Sequence, residues 1–98
     1  QVKIDFLGAV SEMKNLDHTF ERNFIGFQNC STGEYVQLVR LGYDSWYADV
    51  PIKDRGNWEG YLWAGYGNTK SITDMLKLFF EEVPWLDSIS WKMRRCPQ

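Results

Sequence analysis

Four carboxylates, Asp44, Asp49, Asp54 and Glu59, stand close together among aromatic residues. A pair of carboxylic acids can divide the roles of general acid and general base. Asp49 is the most interesting of them. In the stretch WYADVPI, strand alternation puts Trp46, Ala48, Val50 and Ile52 on one face, with Tyr47 and Asp49 on the other. Alternation alone also places an acid on a solvent face with no functional demand. The single histidine, His18, lies in the polar connection NLDHTFERN near Asp17 and Glu21, where a solvated loop residue is expected. With no second histidine and no cysteine cluster, neither a metal site nor a cofactor is expected. A nucleophilic mechanism lacks its base, because His18 is far from any GxSxG or comparable cysteine context. The segment GYGNTKS runs from a strand toward a helix N-terminus, which attracts anions. It misses the phosphate-loop pattern, because Lys70 follows Thr69 rather than glycine. The expectation is therefore a non-enzyme.

The aromatic residues ask a different question. WEGYLWAGYG, from Trp58 to Gly67, holds two Trp, two Tyr and three Gly. Stacking platforms for single-stranded nucleic acid join such residues to a basic groove. Here the strand region carries Arg40, Lys53 and Arg55 against Glu34, Asp44, Asp49, Asp54 and Glu59, so nucleic acid is not the expected partner. The whole chain has a formal charge of -2. Lys92, Arg94 and Arg95 crowd the C-terminal end, and without them 8 basic residues face 13 acidic ones. An acidic body suits a basic protein through charge complementarity, and mild acidity also simply aids solubility. Tyr and Trp are favoured interface anchors. Tyr47, Asp49, Glu59, Tyr61 and Trp63 share the predicted outward parity and form the candidate partner-binding set, while Trp58, Leu62 and Tyr66 are expected to point into the core. A second layer or a homodimer mate over that face is the competing expectation.

These residues need a scaffold. The 98 residues make one domain, and 16% aromatic content can build an adequate core. No apolar run approaches the roughly 20 residues of a membrane span, so no membrane association is expected. Cys30 and Cys96 are far apart without a CxxC. Their pairing cannot be placed from sequence, and reduced thiols in a cytoplasmic protein are the simpler expectation.

VKIDFLGAVSEMKNL spaces Ile4, Leu7, Val10, Met13 and Leu16 by three, which predicts an N-terminal helix with Asp5 and Glu12 outward. Four strands are predicted in NFIGFQN, YVQLVRL, WYADVPI and WEGYLWAGYG. Gly33 supplies a turn, and Pro51 marks an edge or a strand end. SITDMLKLFFEEV predicts a second helix. Ser71 is its N-cap, Ile72, Met75, Leu76, Phe79 and Val83 are its stripe, and Pro84 stops it. DSISWKM predicts a last strand with Ile89, Trp91 and Met93 on one face. Short connections favour an antiparallel meander of about five strands. The predicted class is α+β, with an N-terminal and a C-terminal helix packed on the sheet.

The stretch GYGNTKSITDMLKLFFEEVPWLDSISWKMR resembles the end of a group of small bacterial immunity proteins from polymorphic-toxin and contact-dependent-inhibition systems. The residues that carry the likeness are Phe79 and Phe80, the turn Pro84 to Asp87, and Trp91. It covers roughly the last 45 residues and rests on helix and strand packing signals. The resemblance implies neutralisation of a cognate toxin by direct binding, with Phe79, Phe80 and Trp91 structural. It transfers no toxin-facing residues. Two other classes compete with a toxin inhibitor. One is a phage-encoded inhibitor of a host defence complex. The other is a small ligand-binding or enzymatic domain using sheet-edge carboxylates.

Overall fold

The computed structural model describes residues 3–17, 23–54, 57–85 and 90–95. One antiparallel sheet, in strand order β1-β2-β3-β4-β5, carries two helices. Its strands are β1 (Phe24–Gln28), β2 (Tyr35–Arg40), β3 (Trp46–Asp54), β4 (Asn57–Gly67) and β5 (Trp91–Arg95), and the helices are α1 (Phe6–Lys14) and α2 (Thr69–Phe80). The meander and the α+β class are as the sequence predicts. Gly33 takes a φ of 77° in the β1–β2 turn, as a glycine can.

Both helices pack on the same face of the sheet. Ala9 and Met13 of α1 join Ile72, Met75, Leu76 and Phe79 of α2 in one cluster with Val36, Leu38, Trp46, Ala48 and Val50. An aromatic chain ties the layers together. Phe80 meets Phe6 at 6.3 Å and Phe27 at 5.9 Å, and Trp85 meets Phe79 at 5.2 Å and Trp91 at 6.2 Å. Edge-to-face geometry at these spacings is favourable beyond the area buried.

The helix boundaries differ from the predicted ones. Asp5 is not a helical residue but the N-cap of α1, and its carboxylate accepts from the Gly8 N–H at 2.8 Å. Leu7 is 75% exposed and Ile4 37%, so the three-residue stripe does not form the buried face. Three-residue spacing drifts around a helix of 3.6 residues per turn, and Phe6, Ala9, Met13 and Leu16 track the core better. In α2 the N-cap is Asn68, whose side chain accepts from Ser71 N–H at 2.8 Å. Ser71 is thus inside the helix.

The end of α2 is set before Pro84. Glu82 adopts a φ of 59°, and the N–H groups of Glu82 and Val83 reach back to the carbonyls of Phe79 and Leu78. That is a Schellman ending with a non-glycine residue in the left-handed position. The Glu82 carboxylate also accepts from the Asn29 amide at 3.0 Å. Val83, predicted as part of the helix stripe, lies beyond the end of α2 and is 41% exposed, and Trp85 enters the core at 3% exposure. The Trp85 indole N–H donates to Glu34 Oε2 at 3.0 Å.

Pro51 lies in the middle strand of the sheet rather than at an edge or strand end. The Leu41 N–H donates to the Ser45 carbonyl, so odd-numbered β3 residues direct their backbone groups toward β2. The β2–β3 register stops at Gln37 and Asp49, one such position before Pro51. The missing N–H therefore breaks no pair of that register. Beyond it, the β3–β4 register shifts between Pro51 and Lys53, and Gly60 takes a φ of 90°.

Candidate functional site

The helices leave the other sheet face without a helical cover among the described residues. Directly opposed residues in an antiparallel ladder share a face. From β1 to β5 that outer face holds Phe24, Gly26 and Gln28; Tyr35, Gln37 and Val39; Tyr47, Asp49 and Pro51; Leu62, Ala64 and Tyr66; and Lys92. Phe24 is 55% exposed and Tyr66 66%.

Tyr47 and Tyr66 are direct cross-strand partners, with ring centroids 5.2 Å apart and planes tilted by 57°. Beside them Asp49 pairs with Ala64 on one strand and with Gln37 on the other. Ala64 is small enough to be buried beneath its neighbours, at 5% exposure, without belonging to the helix-side core. On the next strands the Tyr35 ring crosses β1 over Gly26. A Cβ at Gly26 would collide with the Tyr35 phenol, so this placement of the ring requires glycine at position 26. Partial burial raises the pKa of that phenol, and the Asp49 charge raises it further. Tyr35 therefore remains a neutral donor in the physiological range.

Of the predicted binding residues, Tyr47 and Asp49 lie on this face. Trp63 does not. It pairs with Val50 and packs against the core. Tyr61 has the same parity as Trp63, and lies where the sheet thins, 40% exposed, with its carbonyl accepting from the Trp58 indole at 2.8 Å. Glu59 belongs to β4, and its side chain lies outside the described residues. The parity expected for β4 is therefore inverted. Leu62 and Tyr66 face outward, and Trp63 faces the helices. The signal that could have shown this is Gly67, on the Trp63 side of the strand. A Cβ at Gly67 would meet Ser71 and Ile72 at the start of α2. Close helix approach marks that parity as the inner one. Phe24 and Tyr35 are outer-face residues outside the predicted binding set, and Tyr66, expected in the core, is exposed on this face.

Several other candidate groups have structural partners. Asp44 accepts from the Thr69 N–H at 2.8 Å, which lowers its pKa. With Asn68 on Ser71, this carboxylate fills the anion position at the start of α2, so GYGNTKS is a self-capped turn. Lys70 is engaged by Asp74 at 2.8 Å, which raises its pKa. Among the described residues no three His, Cys, Asp or Glu side chains are placed to hold a metal ion. Cys30 is exposed, and His18 and Cys96 lie outside the described residues. No helix among the described residues is long and apolar enough to cross a membrane.

The arrangement can therefore present an aromatic surface around the Asp49 carboxylate and the Tyr35 phenol. Comparisons with protein-family models, with curated proteins and with solved structures found no match for this chain.

Proposed function

We propose that this chain is a non-catalytic protein-binding inhibitor, and that it holds a basic protein on the outer face of its sheet. The carrying observation is a sheet face with no helical cover among the described residues, with Phe24 and the Tyr47–Tyr66 pair around Asp49. Exposed aromatics on a rigid sheet are suited to be anchors, because their two side-chain torsions lose little entropy on binding. A carboxylate among them favours a cationic partner and speeds encounter. The acidic balance of the chain outside its C-terminal end adds the same bias over a longer range. The resemblance of the C-terminal third to toxin-immunity proteins directs the choice of partner toward a bacterial toxin domain.

The test is to look beside the gene for this chain for a toxin-like domain and, where one is encoded, to use it as the partner. Co-expression should rescue growth, and calorimetry should show a one-to-one complex. Tyr47→Ala with Tyr66→Ala should abolish both effects while the circular dichroism spectrum stays unchanged. Rescue and binding that survive this double replacement would overturn the assignment to the outer face. Absence of any complex would overturn the reading for that toxin.

A further inference from the structure

The two edges of the sheet are unlike. The β5 edge, WKMRR, carries three basic residues, and charge is a common protection against edge-to-edge pairing. The β1 edge, FIGFQ, carries no charge and no proline. Among the described residues nothing pairs with its outer side.

The hydrogen-bond parity of β1 makes this edge self-complementary. At its two ends, the Arg40 N–H donates to the Asn23 carbonyl at 2.6 Å, and the Asn29 N–H donates to the Glu34 carbonyl at 2.8 Å. Alternation along the ladder then turns the backbone groups of Ile25 and Phe27 toward β2. The groups of Phe24, Gly26 and Gln28 are turned to the free edge. A second β1 laid antiparallel about Gly26 sets Gly26 opposite Gly26, and Phe24 opposite Gln28, in hydrogen-bonded pairs. The same register sets Ile25 beside Phe27 on the helix side. Ile25 is only half-buried in the single chain and already packs on the core, so the mate's Phe27 extends an apolar surface. Phe24, 55% exposed, meets the uncharged Gln28.

We propose that β1 is a dimerisation edge, and that two copies of this chain join there into one continuous sheet of ten strands by a two-fold axis through Gly26. Residues paired in this way point to one face. Both outer faces therefore lie on the same side of the dimer, and all four helices lie on the other. The closed symmetry uses up the bare edge in each copy, so growth stops at the dimer, with the basic β5 strands outermost. This inference is independent of which partner the outer face binds.

The test combines mass with amide exchange. Sedimentation over a concentration series should show the mass rising from 11.6 kDa toward twice that value. In nuclear magnetic resonance exchange, the amides of Phe24, Gly26 and Gln28 should slow by about tenfold or more between dilute and concentrated samples. Those of Ile25 and Phe27, already bonded within the chain, should stay slow at both concentrations. Gln28→Pro removes an N–H that faces the free edge, and should keep the chain monomeric with an unchanged dichroism spectrum. Gln28→Lys, which spares the backbone, should also weaken dimerisation and guards against misfolding of the proline variant. A mass fixed at 11.6 kDa, or edge amides whose exchange is independent of concentration, overturns the proposal. So does a dimer that is untouched by both replacements.

Discussion

Replacing Trp63 and Tyr66 separately by alanine tests which face of β4 belongs to the core. The two residues are both large aromatics, three positions apart in one strand, and opposite in direction. Trp63 pairs with Val50, itself 8% exposed, and packs against the helix-side cluster. Truncating a fully buried large aromatic costs about 3–5 kcal/mol. Trp63 is only half-buried, so about 2–3 kcal/mol is expected. Tyr66 is 66% exposed and touches mainly the Tyr47 ring at 5.2 Å. Losing that ring pair and little buried area should cost about 1 kcal/mol or less. For a domain of this size, 1 kcal/mol moves Tm by roughly 4–8 °C. Trp63→Ala should therefore lower Tm by roughly 10–20 °C, and Tyr66→Ala by less than about 8 °C. Urea unfolding followed by circular dichroism gives the free energies directly, provided the slope with denaturant is the same for both variants. If Tyr66→Ala costs more than Trp63→Ala, the assignment of the two faces is wrong, and the outer surface described above is core.

Arg40 supports a second prediction. Its guanidinium donates to the carbonyls of Lys14, Leu16, Gly42 and Tyr43, and lies 5.5 Å from the centre of the Trp46 ring. It joins the end of α1 to the β2–β3 loop in a planar fork that lysine cannot reproduce. Arg40→Lys should lose most of these bonds and about 2 kcal/mol of unfolding free energy, given about 0.5–1.5 kcal/mol net for each bond; a loss too small to resolve in urea would count against this role. Tyr35 supports a third. Its pKa is raised above the ordinary 10.0, by burial first and by Asp49 second. A raised folded-state value means that the stabilisation is present below pH 10.0 and is lost as pH climbs through the folded value. Asp49→Asn should shift the phenol titration, read by ultraviolet absorbance, down toward 10.0 without reaching it. An unchanged or upward shift would contradict the placement of Asp49 beside Tyr35.

The α+β meander was legible because the strands are short, alternate, and are separated by strong turn signals. In β3 the division between Trp46, Ala48 and Val50 and the outward Tyr47 and Asp49 was readable for the same reason. Trp46 is 1% exposed and Ala48 fully buried. β4 resisted the same logic because it carries large apolar residues on both parities. Leu62 and Tyr66 compete with Tyr61 and Trp63, and the ladder shifts register near Gly60. The cross-strand register to Val50 and the close approach of α2 at Gly67 settle it. The ends of α2 were misplaced for local reasons. Asn68 and Ser71 are both good caps, and their order is decided by Asp44, which is distant in sequence and occupies the Thr69 N–H. At the other end, a non-glycine residue in the left-handed position carries no sequence signal. The exposure of Phe24 and the crossing of Tyr35 over Gly26 are tertiary facts that depend on pairing between β1 and β2.

The most direct measurement of the central claim is an amide chemical-shift footprint. Isotope-labelled chain would be titrated with a basic protein domain that the chain has been found to bind. The account predicts that the largest changes fall on alternate residues of the central strands, at Tyr47, Asp49, Ala64 and Tyr66, together with Phe24. Changes concentrated on the exposed sides of α1 and α2, with those five positions silent, would contradict it.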